Sequence, residues 1–164
     1  MGMHETPRLA IIWHSRTGGA RAMADAIANG AGDVGRSFPA ETVQSDDLAA
    51  AQGYIFVCPE NLGAMSGLMK EMFDRCYYPL LGRIEGRAYA TAIAAGSDGQ
   101  AAQVQIDRIV TGWRLRRVSE PLIVNFAAQT PKAILADKTL PDAGRQACEE
   151  LGAAMAEGLR LGVF

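Results

Sequence analysis

Short apolar runs alternate along the chain with longer segments in which apolar residues recur at every third or fourth position. The runs predict four strands, at residues 9–13, 54–58, 88–94 and 122–126, and a less distinct strand near residues 36–38. Because the four clear runs do not alternate apolar with polar residues, we expect both of their faces to be buried, as in a parallel sheet.

The segments between these strands have the spacing of amphipathic helices. Their apolar stripes predict helices over residues 20–31, 68–76, 106–113 and 147–159. Ser45 is typical of the start of a further short helix, and Pro141 and Asp142 are typical of the first turn of the last one. Strands that alternate with helices in this way predict an α/β fold, in which right-handed crossovers place helices on both faces of a parallel sheet.

The chain has 164 residues, which predicts a single domain covering residues 1–164. The net charge of −2 gives no electrostatic argument for binding nucleic acid or an anionic membrane. No apolar run approaches the roughly 18 residues of a membrane span, and residues 9–13 are too short for a secretory signal. We therefore expect a cytoplasmic protein without membrane insertion.

The three cysteines lie far apart without metal-ligand spacing, so we expect reduced, buried thiols and no metal.

Candidate chemistry lies in the segments that follow the strands, since ligands of doubly wound sheets bind outside the carboxyl ends of the strands. The first segment, Ser15-Arg16-Thr17-Gly18-Gly19-Ala20, combines two hydroxyls and two glycines at a helix N-terminus, which suits a phosphate. No lysine follows the glycines, so it is not a Walker A loop. The alternative is a plain turn whose hydroxyls cap the helix.

Two further segments follow the strands that are expected beside the first. Residues 59–67 form a predicted loop of nine residues, longer than is usual for such a connection, and residues 95–100 are small and flexible. Each alone is more often a turn than a site, but all three segments are expected at one edge of the sheet. The candidate cofactor-binding residues are Ser15, Arg16, Thr17, Gly18, Gly19, Ala20, Pro59, Glu60, Asn61, Leu62, Gly63, Gly96, Ser97, Asp98 and Gly99.

Together these segments resemble the flavodoxin-like superfamily, in particular its small NAD(P)H-dependent FMN reductases and quinone reductases. The first segment is similar to the family's S/T-x-T-G-x-T phosphate loop, except that Ala20 replaces the final threonine and one hydroxyl contact is lost. Residues 59–75 are similar to its P-x-x-x-G-x-x-S-G-x-x-K-x-x-x-D-R segment, whose start wraps the flavin ring. Gly96-Ser97-Asp98-Gly99 falls where the family's third flavin-contacting loop lies.

The resemblance implies a flavodoxin-like three-layer sandwich with a five-stranded parallel sheet of order 2-1-3-4-5. It implies FMN as cofactor, NAD(P)H as substrate, a quinone, flavin or similar acceptor, and assembly as a dimer or tetramer, of which we expect a homodimer. No catalytic side chain is expected, because the flavin carries the chemistry. The alternatives are a flavodoxin-type electron carrier and a domain that keeps the fold without flavin. Carriers generally flank the flavin with aromatic residues and have acidic surfaces, so the absence of aromatic residues from residues 59–67 and 95–100 favours the enzyme.

Several other features have a structural interpretation beside a functional one. The GxGxxG match at residues 30–35 is interpreted as the end of a helix, because no strand precedes it. Arginines at 114, 116 and 117 are expected to complement a helix C-terminus, with a docking patch for a 2′-phosphate as the alternative. His14 is interpreted as a spacer with a satisfied ring, and Glu60 and Asp98 as solvated carboxylates. The apolar residues 77–81 are expected just beyond the third helix, beside the flavin, as a dimer interface, with burial in the core of the monomer as the alternative.

Overall fold

Every strand that the hydrophobic pattern predicts is present in the computed structural model, which describes residues 5–164. The strands are β1 (Leu9–Trp13), β2 (Gly35–Pro39), β3 (Gly53–Asn61), β4 (Ala64–Met65), β5 (Ala88–Ala95), β6 (Arg116–Arg117) and β7 (Leu122–Asn125). The helices are α1 (Gly19–Ala31), α2 (Ser45–Ala49), α3 (Gly67–Leu80), α4 (Gln100–Gly112), α5 (Pro131–Leu135) and α6 (Asp142–Leu161), with a 3-10 turn at Gly32–Val34. The predicted helices are thus confirmed, and α5 is one that the pattern does not predict.

The sheet has the predicted order, but its fifth position is occupied by two short strands instead of one. The parallel strands run β2-β1-β3-β5, and both β6 and β7 pair with β5, at opposite ends of it. The interruption contains Pro121, which has no N–H to donate to β5. The predicted three-layer flavodoxin-like sandwich with parallel order 2-1-3-4-5 is therefore confirmed, with β4 added as a short antiparallel strand at the end of β3.

The core on one face of the sheet is aromatic. The Phe56 ring lies 4.9 Å from that of Phe73, and the Phe73 ring lies 5.2 Å from that of Trp113 (centroid distances). These residues come from β3, α3 and the end of α4, so they join the sheet to its helical layer. The three cysteines are buried as expected, and burial raises the pKa of Cys58 to about 12, which keeps the thiol protonated.

The core on the other face depends on close packing of α1 against α6. A Cβ atom added at Gly152 would lie 2.0 Å from the carbonyl oxygen of Ile27, and one added at Gly30 would lie 2.0 Å from that of Glu149. The two helix backbones are therefore in direct contact, which larger residues would prevent. Gly30 belongs to the GxGxxG match, and its position near the end of α1 confirms that the match is not a dinucleotide fingerprint.

The predicted position of the apolar residues 77–81, beyond the third helix and beside the flavin, is wrong. Residues 77–80 lie inside α3, which is about 21 Å long, and Tyr77 borders a small cavity with Trp113 and Arg114 near the amino end of β5. The apolar run is therefore at the edge of the sheet opposite the phosphate loop. Homodimer formation itself stays a prediction. Among residues 5–164, no helix is both long enough and apolar enough to cross a membrane.

The arginine cluster also differs from its interpretation, because two of the three residues form strand β6. The Arg117 guanidinium lies 2.6 Å from an Asp107 carboxylate oxygen and donates to the Thr91 hydroxyl at 2.8 Å. It thus links α4 to β5, and it does so near the amino end of β5, away from the phosphate loop. The structure gives no support to a 2′-phosphate patch here.

The contact between α1 and α6 can be tested by the substitution Gly152→Ala. We expect the free energy of unfolding to fall by about 1–3 kcal/mol, because the added methyl group overlaps the Ile27 carbonyl oxygen and the helices must separate. The measurement is urea denaturation followed by circular dichroism. Gly112→Ala in α4 is the control, since a Cβ there meets nothing within 4 Å and alanine favours the helix. Equal losses in both variants would contradict the packing argument.

Candidate functional site

A cleft of about 670 Å³ lies at the carboxyl ends of β1, β3 and β5. It has the size of ligand sites in proteins, which span roughly 300–1,000 Å³. The candidate residues that line it are Ser15, Arg16, Thr17, Gly19, Ala20, Pro59, Glu60, Asn61, Leu62, Gly63, Gly96 and Ser97. Gly18, Asp98 and Gly99 do not line it: the two glycines are N-caps of α1 and α4, and Asp98 is exposed and borders a neighbouring groove.

The first loop leaves several backbone donors unpaired. Gly18 has φ +95°, which favours glycine, and its N–H donates to the Ser15 hydroxyl at 3.1 Å. The first hydrogen bond of α1 runs from the N–H of Ala22 to the carbonyl oxygen of Gly18. The N–H groups of Arg16, Thr17, Gly19 and Ala20 donate to no acceptor within residues 5–164. Unpaired donors at the positive end of a helix dipole form an anion site.

A lysine that no sequence motif indicates reaches this loop from the segment between α5 and α6. The Lys138 ammonium donates to the Thr17 hydroxyl oxygen at 3.1 Å, and the Lys138 backbone N–H donates to the Thr17 carbonyl oxygen at 2.8 Å. The two residues are 121 positions apart, so no local motif signals the contact. Lys138 therefore brings an ammonium group to a loop whose glycines are followed by no lysine in sequence.

The segment that carries Lys138 forms a further wall of the cleft. Phe126 and Ala128, which follow β7, also line the cleft, as do Ile134 and Leu135 of α5. Thr130 caps α5 by accepting a hydrogen bond from the Ala133 N–H at 3.2 Å, and Pro131 occupies the first turn. This Thr-Pro pair is the signal in the sequence that could have predicted α5.

The second predicted loop is a β-hairpin. β3 continues through Pro59 and Glu60 to Asn61 and pairs with the antiparallel strand β4. Leu62 and Gly63 form the turn, both with positive φ (53° and 72°), as in tight hairpins. The prediction of a nine-residue loop is therefore wrong. The tip of the hairpin places the fully exposed Leu62 side chain at the rim of the cleft.

The Glu60 carboxylate is not solvated but caps a neighbouring helix. Its two oxygens accept hydrogen bonds from the N–H groups of Gly99 and Ala102, each at 3.0 Å. A carboxylate at a helix N-terminus is stabilised by the dipole and by charge-assisted hydrogen bonds. Glu60 thus fixes the third loop relative to the hairpin.

His14 has a buried ring with partners at both nitrogens, as its structural interpretation predicts. Nδ1 lies 2.7 Å from the Ser66 hydroxyl, and Nε2 lies 3.6 Å from a Glu41 carboxylate oxygen. Burial lowers the pKa of His14, Glu41 partly opposes this, and Arg16 lowers it further. Because Ser66 is the N-cap of α3, the ring connects the end of β1 to the start of that helix.

The comparison with protein families agrees with this geometry. The family model for NADPH-dependent FMN reductase matches residues 35–129, which is more than half of the chain. The chain belongs to this family. The matched segment contains the hairpin and the third loop, whereas the phosphate loop precedes it, so the anion site rests on the geometry alone.

Comparison with individual relatives supports the flavodoxin-like fold. A curated protein named flavodoxin, from Aquifex aeolicus (strain VF5), is 26% identical over 159 residues, which cover 92% of this chain and 85% of the relative. A flavodoxin from the domain Archaea superimposes with a TM-score of 0.75 at 18% identity, over 93% of this chain and 99% of that one. A WrbA-like flavodoxin from Agrobacterium tumefaciens gives 0.75 at 16% identity, over 94% and 98%. Family and fold together support an FMN-binding oxidoreductase.

The capping role of Glu60 predicts a loss of stability in Glu60→Gln. An amide can accept only one of the two hydrogen bonds, and its NH₂ group would face the other N–H donor. We expect the free energy of unfolding to fall by about 1–3 kcal/mol, as measured by urea denaturation. Glu120→Gln removes an equal charge from an exposed residue and is expected to have little effect. If both variants are as stable as the wild type, the cap does not contribute.

Proposed function

We propose that this protein binds FMN in the cleft and passes electrons from NAD(P)H to a quinone, a flavin or a similar small acceptor. The observation that carries the proposal is the polarity of the cleft. The first loop contributes unpaired N–H groups to it, together with Thr17 and Lys138, and the lining also includes the apolar side chains of Leu62, Ile134 and Leu135. A ligand that combines a phosphate with an apolar ring system matches both kinds of lining.

The residues of the cleft fit FMN. The phosphate would be held by Ser15, Thr17 and the N–H groups from Arg16 to Ala20, and the ring would lie between the hairpin and the loop that begins at Gly96. When bound, FMN supplies hydride and electron transfer, so the protein has to position the rings and needs no acid or base of its own. Arg16 is exposed in the first loop and adds positive charge there.

The apolar lining of the cleft favours an enzyme over an electron carrier. Among the described lining residues, Phe126 is the one aromatic side chain, and its ring approaches Gly19 of the first loop (an added Cβ would lie 3.0 Å from it). The other apolar side chains of the lining are aliphatic, so none of them would cover the flavin face on which a nicotinamide or quinone has to stack as an aromatic side chain does. The second candidate is a flavodoxin-type electron carrier, which the name of the Aquifex aeolicus relative favours. Homodimeric assembly and a cytoplasmic location stay predictions.

The phosphate assignment predicts a selective effect of Thr17→Val. Valine keeps the shape of threonine and removes the hydroxyl, so we expect FMN binding to weaken by roughly 10–100-fold, while riboflavin binding changes little. Isothermal titration calorimetry with both ligands measures the difference. Thr111→Val is the matched control, because that hydroxyl bonds the Asp107 carbonyl oxygen in α4, outside the cleft. Equal losses for both ligands would show that Thr17 does not contact the phosphate.

The two candidate functions predict different responses of the bound flavin to nicotinamides. We expect NADPH or NADH to bleach the flavin absorbance of the FMN-loaded protein in an anaerobic stopped-flow experiment, and a quinone to restore it. Titration with dithionite is the control that the flavin can be reduced. Reduction by dithionite without bleaching by either nicotinamide would favour the electron carrier.

A further inference from the structure

The Lys138 ammonium has two contacts besides the one with Thr17. It also donates to the carbonyl oxygens of Ile134 at 2.9 Å and of Ala136 at 2.6 Å. An ammonium has three donors, so all three are engaged, and one of them lies at the phosphate loop. Lys138 therefore connects the C-terminal end of α5 directly to the anion site.

The contact also determines what Thr17 can do. The Thr17 hydroxyl oxygen accepts from Lys138, and within residues 5–164 this hydroxyl donates its own proton to no acceptor. A hydroxyl can donate and accept at the same time. The Thr17 proton is thus available to an incoming anion, and the positive charge of Lys138 stands one hydrogen bond behind it.

The helix that Lys138 holds has little else to fix its position. None of the residues of α5 is buried, and Ile134 and Leu135 are 51% and 78% exposed although both border the cleft. A five-residue helix without core packing is at the low end of local stability. Its lead-in is anchored where the Ala128 N–H donates to the Gly96 carbonyl oxygen at 3.0 Å, and its far end is anchored by Lys138.

From this geometry we infer that Lys138 is the residue that selects the phosphorylated flavin. Its positive charge acts on the FMN phosphate across the Thr17 hydroxyl, and through the Ile134 and Ala136 carbonyl oxygens it couples the presence of that phosphate to the position of α5 in the wall of the cleft. The inference rests on the proposed function, since it assumes a flavin in the cleft. Riboflavin fills the same ring space without a phosphate and therefore leaves α5 less ordered.

The test compares Lys138→Met with Lys132→Met, which removes the same charge from an exposed position on α5 itself. Calorimetry with FMN and riboflavin is carried out at low and at moderate salt. In Lys138→Met we expect FMN affinity to fall by roughly 10–100-fold with riboflavin affinity unchanged, and a weaker salt dependence of FMN binding. Lys132→Met should resemble the wild type, and Lys138→Arg, which keeps the charge, should recover part of the preference for FMN.

Hydrogen exchange of the Ile134 and Ala136 amides supplies a readout that does not depend on activity. These N–H groups close the turns of α5 on the carbonyl oxygens of Thr130 and Lys132. In the wild type we expect FMN to slow their exchange more than riboflavin does, and in Lys138→Met we expect this difference to disappear.

The possible results separate the inference from the proposed function. If the wild type binds neither FMN nor riboflavin, the proposed function is wrong and the inference falls with it. If the wild type binds FMN and Lys138→Met binds it equally well, only the inference is wrong. Equal weakening of FMN and riboflavin by Lys138→Met would also overturn it, because Lys138 would then only support the fold of the segment.

Discussion

The in-register parallel pairing of β1, β3 and β5 determines where everything else in this molecule can lie. Trp13 stands beside Val57 and Pro59 stands beside Ala94, so the three strands reach the same edge of the sheet and their following segments meet there. Parallel strands need crossovers, and here the crossovers include helices that cover both faces and bury both. The same pairing therefore explains the uninterrupted apolar runs in the sequence and the convergence of the three segments around one cleft.

The N-termini of α1 and α4 lie at this edge but have different polar partners, and this difference distinguishes the candidate anion site. The Glu60 carboxylate occupies the N–H groups of Gly99 and Ala102, so the positive end of α4 is already neutralised by the protein. The first turn of α1 has no such carboxylate, and Lys138 adds a further positive charge beside it. Both helices begin at a glycine with positive φ, so backbone conformation does not distinguish them. The side chains from neighbouring segments do, and in the proposed function they would direct the FMN phosphate to α1.

The sequence predicts elements that carry an uninterrupted apolar run or a helical period and does not indicate those that long-range contacts create. The central strands are uninterrupted apolar runs, the main helices have apolar faces that recur every third or fourth residue, and the structure confirms both. The helix α5 has no buried face and therefore no period, and Lys138 meets its partner across 121 residues. The sequence does not predict the hairpin because Pro59 and Gly63 are residue types of loops, although Pro59 here continues β3. Glu60 could be recognised as a cap only once β3 and α4 were known to be neighbours.

In the proposed function, binding and reaction would rest on different parts of the cleft. Unpaired N–H groups, hydroxyls and Lys138 gather at the first loop, so the strongest polar interactions would act on the phosphate, far from the reacting part of the flavin. Leu62, Ile134 and Leu135 border the same cleft and expose apolar surface, whose burial contributes about 25 cal/mol per Å². A flat ring would cover part of this surface, and a second ring stacked on the first would cover more. An anchored cofactor with one open face is the arrangement that hydride transfer between two flat molecules requires, because the reacting atoms must approach within roughly 3–3.5 Å.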